Sequence, residues 1–344
     1  MARAHKIALI KTVILKCWLG FVCWKKSRMT GKISYSDPVY QGHLPIRVLQ
    51  RVMLNWFETS SKDFLARLLE QIRVKGLKRG IKWDDSQNPI ISHGRVYAAS
   101  INSKNQIVIH ETFCAYLWSM SYHFLVLFDE AIQIPQLKGT YNGSIDSKNK
   151  QVDAATNLYA YAMIIRNRYT AWNDSDPNPE KVCCKFSYYV DKTNGIFTSA
   201  MFFIFAHEVG HNHFGHTTYT PATDEDAVRD EWDADNYAID QVLSCSAPER
   251  LTSLKYGALL GVIALLFLSG RLTSRTHPDA DDRINNVMGR LGFDDMSLAW
   301  GIASLGLKFW ADENRINLNL PPVYETYRDM YYHTMQKFAE MKAV

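Results

Sequence analysis

Cysteine is scarce in this chain of 344 residues. It contributes six residues, of which only Cys183 and Cys184 lie close together in the sequence. Small secreted domains that depend on disulfides have a far higher cysteine density, and structural zinc sites built from cysteine need CxxC pairs, which are missing here. The low cysteine content therefore excludes a disulfide framework and predicts reduced thiols in a cytoplasmic protein.

Long hydrophobic runs are also missing. The most apolar stretch, Tyr256–Leu268, has thirteen residues, whereas a helix that spans a bilayer needs about 20. Lysines interrupt the apolar segment Ile7–Trp24, and no small-residue cleavage site follows it. We expect Tyr256–Leu268 to form a buried central helix. A membrane-associated protein anchored by these two segments is the alternative.

The chain has no strong charge of either sign beyond its first 29 residues. Its formal charge is +4, but Met1–Met29 holds seven of the 39 basic residues and none of the 35 acidic ones. The remaining residues carry 32 basic and 35 acidic groups, a net charge of −3. Because positive and negative charges nearly cancel in these residues, there is no reason to expect a nucleic-acid partner. Residues 1–29 are interpreted as a basic, apolar N-terminal extension, through which membrane contact is conceivable but not favoured.

Hydrophobic periodicity divides the rest of the chain in two. Residues 30–145 are expected to form a region of helices and a hairpin, packed on a core with C-terminal helices over residues 150–344. A polar segment rich in Gly, Ser and Asn, Gly139–Lys150, is typical of a linker between them. The predicted elements are helices over Phe57–Lys75, Glu111–Ile132 and Ala154–Trp172, strands over Arg95–Ala99, Gln106–Ile109 and Lys185–Val190, and turns at Asn102–Asn105 and Asn194–Gly195.

The most informative motif is HEVGH, His207–His211, which follows an apolar stretch that begins at Ser199. Two histidines four residues apart on a helix project from one face and can bind one metal ion. Glu208 lies beside them, where it can take a proton from a water that the metal acidifies without being a ligand itself. This set predicts a zinc hydrolase, which needs a third protein ligand.

A second helix offers that third ligand. Thr223 is expected to cap this helix, and its buried stripe places Glu231 and Asp235 among small and apolar side chains. Because burying an unpartnered carboxylate is costly, we expect Glu231 to bind zinc and Asp235 to hold a ligand histidine or a nearby arginine. The solvated face of the same helix is assigned Asp230, Asp233 and Asp240.

Two further histidines, His213 and His216, do not fit as ligands. If the helix continues, both point away from the face that carries His211. The metzincin spacing HExxHxxGxxH is absent too, because Phe214 and Thr217 stand where that motif needs Gly and His. We therefore interpret His213 and His216 as solvated residues or as residues that support the ligands.

HEVGH followed after 19 residues by EWDAD resembles the gluzincin metallopeptidases, whose second helix supplies a Glu in an ExxAD-like motif. Downstream, His277-Pro278 with Arg283-Ile284 resembles the HPxxxxRI element of one gluzincin class. Within that class the chain is most similar to the Lit-type phage exclusion peptidases over roughly Ile107–Leu291. The shared features include an aromatic helix and a WxxxxPNPE-like loop, Trp172–Glu180.

The resemblance implies an α+β fold, mainly helical, in which a zincin-like core combines the HExxH helix, a second ligand helix and a small antiparallel sheet. It implies a zinc-dependent endopeptidase in which His207, His211 and Glu231 hold Zn²⁺ and Glu208 is catalytic. His277 either hydrogen-bonds the oxyanion of the transition state or caps a helix beside Pro278. Arg283 is expected to pair with Asp235.

The resemblance also implies a bacterial cytoplasmic enzyme that attacks a host protein of translation during phage exclusion. The partner is then a protein or peptide substrate, and a strand near Lys185–Val190 could bind it by strand addition. Two alternatives stay open: a regulatory or binding protein whose zinc is not catalytic, and a gluzincin protease associated with the inner membrane.

Overall fold

The computed structural model describes residues 41–88, 91–92, 95–141, 148–180, 187–269, 273–321 and 324–343. The predictions for residues 1–29, for the middle of the linker Gly139–Lys150 and for Cys183 and Cys184 lie outside these residues. The division of the chain near residue 145 stays a prediction.

Helices make up most of the described chain. They are α1 (Gln50–Thr59), α2 (Lys62–Val74), α3 (Glu111–Leu127), α4 (Ile134–Lys138), α5 (Lys150–Ile165), α6 (Ser187–Phe214), α7 (Asp224–Leu243), α8 (Pro248–Ser269), α9 (Ala280–Arg290), α10 (Leu298–Glu313) and α11 (Tyr327–Lys342). A π-helical segment, Phe128–Gln133, joins α3 to α4, and short 3₁₀ helices cover Pro45–Leu49 and His216–Thr218.

The strands are few and short. They are β1 (Lys82–Asp84), β2 (Ile91–Ser92), β3 (Arg95–Val96), β4 (Ser100–Ile101) and β5 (Ile107–His110). The mainly helical α+β class is thus confirmed. The purely antiparallel sheet is wrong, because β5 pairs antiparallel with β4 and parallel with β1. The hairpin turn at Asn102–Asn105 is confirmed, with β4 rather than Arg95–Ala99 as the strand that precedes it.

Helix α6 lies at the centre of the fold. It packs against α3, α7, α8 and α1, and its residues from Ile196 to Gly210 are all buried. Such a helix shows no polar face, which is why the stretch from Ser199 reads as uniformly apolar. The motif His207–His211 is therefore held by packing around the whole helix rather than by one face.

The N-terminal part of α6 corrects two predictions. Residues 187–190 are helical rather than extended, and Asn194–Gly195 lies inside the helix rather than in a turn. The alternation in this short stretch is also compatible with helical spacing, since the buried Tyr189 and Thr193 are four residues apart. Trp118 donates its indole N–H to Asn194 Oδ1 at 2.8 Å, so a tertiary contact outweighs the turn propensity.

Other helix boundaries moved for local reasons. The predicted helix Phe57–Lys75 is two helices, because Ser61 caps α2 by accepting a hydrogen bond from the Phe64 N–H at 3.3 Å. Asn149 similarly caps α5, which begins before Ala154. The helix predicted over Glu111–Ile132 is confirmed, although its last turns are π-helical.

The predicted buried helix at Tyr256–Leu268 is confirmed as part of α8. Among the described residues, Pro248–Leu268 is the span long and apolar enough to cross a membrane, and 67% of its most apolar window is buried within the protein. Gly257 lets α8 approach α6 closely: a Cβ atom there would lie 2.4 Å from Ser199 Cβ and 2.6 Å from Ala200 N. This contact fixes the spacing of the two central helices.

We predict that Gly257→Ala destabilises the fold by about 1–3 kcal/mol, because the added methyl meets the backbone of α6, which cannot move aside. The measurement is the free energy of unfolding from a urea titration followed by circular dichroism. Gly195→Ala is the matched control. A Cβ at this exposed position in α6 meets nothing within 4 Å, so we expect about 0.5–1 kcal/mol of stabilisation. A neutral Gly257→Ala would contradict the close packing of α6 on α8.

Candidate metal centre

The site lies where α6 crosses α7. A Cβ atom on Gly210 would lie 3.0 Å from Ala234 Cα and 3.2 Å from Tyr237 Cβ, so glycine is what allows the two helices to approach. Gly210 belongs to HEVGH, and Ala234 belongs to EWDAD. The small residues of the two motifs therefore bring their polar residues together.

Donor atoms of three residues from the two helices form a compact cluster. His207 Nε2 lies 3.1 Å from His211 Nε2, and Glu231 Oε2 and Oε1 lie 3.5 and 3.4 Å from these two nitrogens respectively. Ligand atoms about 2.0–2.1 Å from a tetrahedral zinc ion are separated from one another by about 3.3 Å. Each of the three separations is close to this value, and the residues fit the ion with one oxygen of Glu231 as the ligand atom.

His207 is oriented by a buried carboxylate. Its Nδ1 lies 2.8 Å from Asp235 Oδ1, and Arg283 of α9 donates to both oxygens of Asp235 at 2.7 and 2.6 Å. Burial favours the neutral acid, but the guanidinium of Arg283 outweighs it and lowers the pKa of Asp235. An ionised Asp235 accepts the Nδ1–H of His207, which leaves Nε2 directed at the cluster.

Glu231 is a partly buried carboxylate, with 17% of its side chain exposed. Burial raises its pKa, but hydrogen bonds from His207 and His211 dominate and hold the pKa well below its usual value. Burial lowers the pKa of His207, but its hydrogen bonds with Asp235 and Glu231 outweigh this effect and raise the pKa to about 10. The cluster therefore attracts positive charge, either protons or a metal ion.

Glu208 lies beside the cluster and contacts no described cation directly. Its side chain is buried, and burial raises the pKa of its carboxyl group above the usual value. The carboxylate accepts the backbone N–H of Ile101 in β4, so the sheet touches the site at this residue. β4 is an edge strand, since in the described chain it pairs with β5 alone.

His277 reaches the cluster from the segment between α8 and α9. Its Nε2 lies 3.8 Å from Glu231 Oε1, while more than half of its side chain, 57%, is exposed to solvent. Thr276 Oγ1 contacts its Nδ1 at 3.0 Å. The N-cap of α9 is Asp279, so the interpretation of His277 as a helix cap is wrong.

His216 also lies at the site, whereas His213 does not. His216 Nδ1 is 3.1 Å from His211 Nδ1, on the side of the ring remote from the cluster. The prediction for Asp230 is wrong: its side chain is only 8% exposed, faces His216 Nε2 at 3.5 Å, and accepts the Tyr219 hydroxyl at 2.6 Å. His213 stacks near the ring of Tyr237, at 4.9 Å between centroids.

Sequence reasoning missed the group formed by His216, Asp230 and Tyr219 because it extended α6 past Phe214. Gly215 ends the helix with φ of 83°, and the chain turns back towards the cluster of His207, His211 and Glu231. A glycine after a helical run is a stop signal. That signal was present in the sequence and would have placed His216 off the helix.

The sequence model of the peptidase U49 family matches residues 107–303, more than half of the chain. The matched stretch contains α6, α7 and α9 and thus the whole cluster with its supporting residues. No curated protein and no solved structure gives a significant match. The family match alone identifies the protein: the chain belongs to the peptidase U49 family.

Proposed function

We propose that this peptidase is a zinc-dependent endopeptidase. The observation that carries the proposal is the set of His207 Nε2, His211 Nε2 and Glu231 at the mutual distances of tetrahedral zinc ligands. Three protein ligands leave a fourth position for water or substrate, as a catalytic zinc site requires. Hydrolysis also needs a group that accepts a proton from the attacking water, and the adjacent Glu208 is that group.

When bound, zinc polarises the scissile carbonyl and lowers the pKa of the attacking water. Glu208 takes one proton from that water as its oxygen attacks the carbonyl carbon, and delivers the proton to the amine as the C–N bond breaks. The enclosed position of Glu208 suits both steps, because it excludes bulk water from the proton transfer.

His277 is proposed to donate a hydrogen bond from Nε2 to the oxyanion that forms on the carbonyl oxygen. Its partial exposure and its 3.8 Å approach to Glu231 place this nitrogen at the boundary between the cluster and solvent. Arg283 contributes indirectly, since it holds Asp235 and through it His207. These roles extend the resemblance to gluzincins residue by residue.

The proposed substrate is an extended segment of a protein. The strand considered for its binding, Lys185–Val190, is helical in its described residues. The edge of β4 takes its place in the proposal, because its Ile101 N–H points at Glu208 and a peptide paired along this edge would pass the cluster. The location proposed is the bacterial cytoplasm, and the role proposed is phage exclusion, both on the resemblance to Lit-type peptidases.

We predict that Glu208→Gln keeps zinc but loses proteolysis. Comparison of protein termini in cells that make the native protein or the variant should reveal new termini with the native protein only. Purified variant should cleave the substrates so identified ~10²–10⁴-fold more slowly, the usual contribution of general acid–base catalysis. The exposed Glu225→Gln on α7 is the control and should cleave normally. Retained cleavage by Glu208→Gln would sink the assignment.

We predict that Glu231→Ala lowers the zinc bound per chain, measured by atomic emission after dialysis, because one of the three donors is lost. Glu225→Ala removes an exposed carboxylate from the same helix and should leave the zinc content unchanged. Equal zinc in both variants would refute Glu231 as a ligand.

For His277→Ala we expect unchanged zinc content and a KM close to that of the native protein. Its kcat should fall about 10²–10³-fold, because the hydrogen bond is made to the transition state rather than the substrate. His333→Ala serves as the control, because it removes a histidine that is hydrogen-bonded to Tyr324 and does not belong to the cluster. A change in KM alone would assign His277 to substrate binding instead.

A further inference from the structure

Both ring nitrogens of His216 face other side chains, and neither faces the cluster of His207 Nε2, His211 Nε2 and Glu231. Its Nδ1 contacts Nδ1 of His211 at 3.1 Å, on the far side of the His211 ring from Nε2. Its Nε2 faces Asp230 Oδ1 at 3.5 Å. This position excludes His216 as a fourth ligand in the present geometry and gives it a different task.

The contact continues through Asp230 as a chain of polar groups that ends at the partly exposed Tyr219. Asp230 accepts the hydroxyl of Tyr219 on Oδ2 at 2.6 Å and faces His216 with Oδ1. The side chains of His216 and Asp230 are each only 8% exposed, so these contacts form largely away from solvent. A buried group with such partners is held in one orientation.

Only one arrangement of the hydrogen-bond donors and acceptors in this series of polar groups leaves His211 Nε2 free to bind a metal ion. His211 must then carry its proton on Nδ1 and donate it to Nδ1 of His216. His216 in turn carries its proton on Nε2, the nitrogen that faces Asp230 Oδ1 at 3.5 Å. Asp230 turns one oxygen to this nitrogen and accepts the Tyr219 hydroxyl on the other.

We propose that His216, backed by Asp230, is a positioning residue that fixes the tautomer and ring orientation of His211 for metal binding. The proposal rests on the zinc function proposed above. It gives the two ligand histidines different supports: Asp235 contacts His207 directly, whereas Asp230 acts on His211 through the His216 ring. Helix α7 thus supplies one ligand, Glu231, and a supporting carboxylate for each histidine.

The test is the affinity of the metal-free protein for Co²⁺, measured by competition with a chromophoric chelator. His216→Ala should weaken binding about 10–100-fold, the usual effect of removing a partner of a metal ligand. His216→Asn should bind nearly as well as the native protein, because its Oδ1 stands where Nδ1 was and accepts the same bond. His216→Gln, whose amide lies further out, should bind as poorly as His216→Ala.

Two further variants separate positioning from general damage. Asp230→Ala should weaken Co²⁺ binding less than His216→Ala, and the double variant should be no weaker than His216→Ala alone, because both residues act through one contact. His213→Ala, which removes a neighbouring histidine that packs on Tyr237, should leave the affinity unchanged. Unfolding midpoints of the metal-free variants check that each one folds.

The outcomes distinguish this inference from the proposed function. A native protein that binds Co²⁺ while His216→Gln binds equally well would overturn the positioning role and leave the zinc site intact. Loss of affinity in His216→Asn, together with a changed Co²⁺ absorption spectrum, would make His216 a ligand and overturn the proposal. A native protein that takes up no Co²⁺ would overturn both the zinc function and this inference.

Discussion

The site depends on the buried ion pair between Asp235 and Arg283. Both side chains lie almost wholly out of water, which is costly for separate charges and acceptable only when their hydrogen bonds are satisfied. The guanidinium meets both carboxylate oxygens, and one of these oxygens also takes the Nδ1–H of His207. One pair thus joins α9 to α7, joins α7 to α6, and fixes the nitrogen that His207 turns towards its neighbours.

Close helix packing makes this arrangement rigid. Gly210 allows α7 to approach one side of α6, and Gly257 allows α8 to approach another, with backbone atoms as neighbours in both cases. Because α6 is buried from Ile196 to Gly210, the two histidines of HEVGH and Glu208 cannot move independently of the core. His277 is different, because it comes from an irregular segment and its side chain is 57% exposed.

The sequence predicted which motif residues lie on helices better than it predicted where the helices begin and end. HEVGH and EWDAD fall on two helices, and the expected pair of Arg283 with Asp235 is present. The extended reading of residues 187–190 was wrong because a few alternating residues also fit a helix, and only packing against α3 decides between the two. Asp230 was placed on the solvated face because helical spacing alone cannot show that Tyr219 and His216 cover it.

By itself, the sequence determined the mainly helical α+β class and the buried helix at Tyr256–Leu268. It also determined the helix that presents His207, Glu208 and His211. These features follow from hydrophobic spacing and residue chemistry within single segments. The tertiary structure alone decided which groups meet across segments. His216 came to lie between His211 of α6 and Asp230 of α7, and the edge of β4 came to lie beside Glu208. Such contacts arise from the relative placement of elements, which no local pattern encodes.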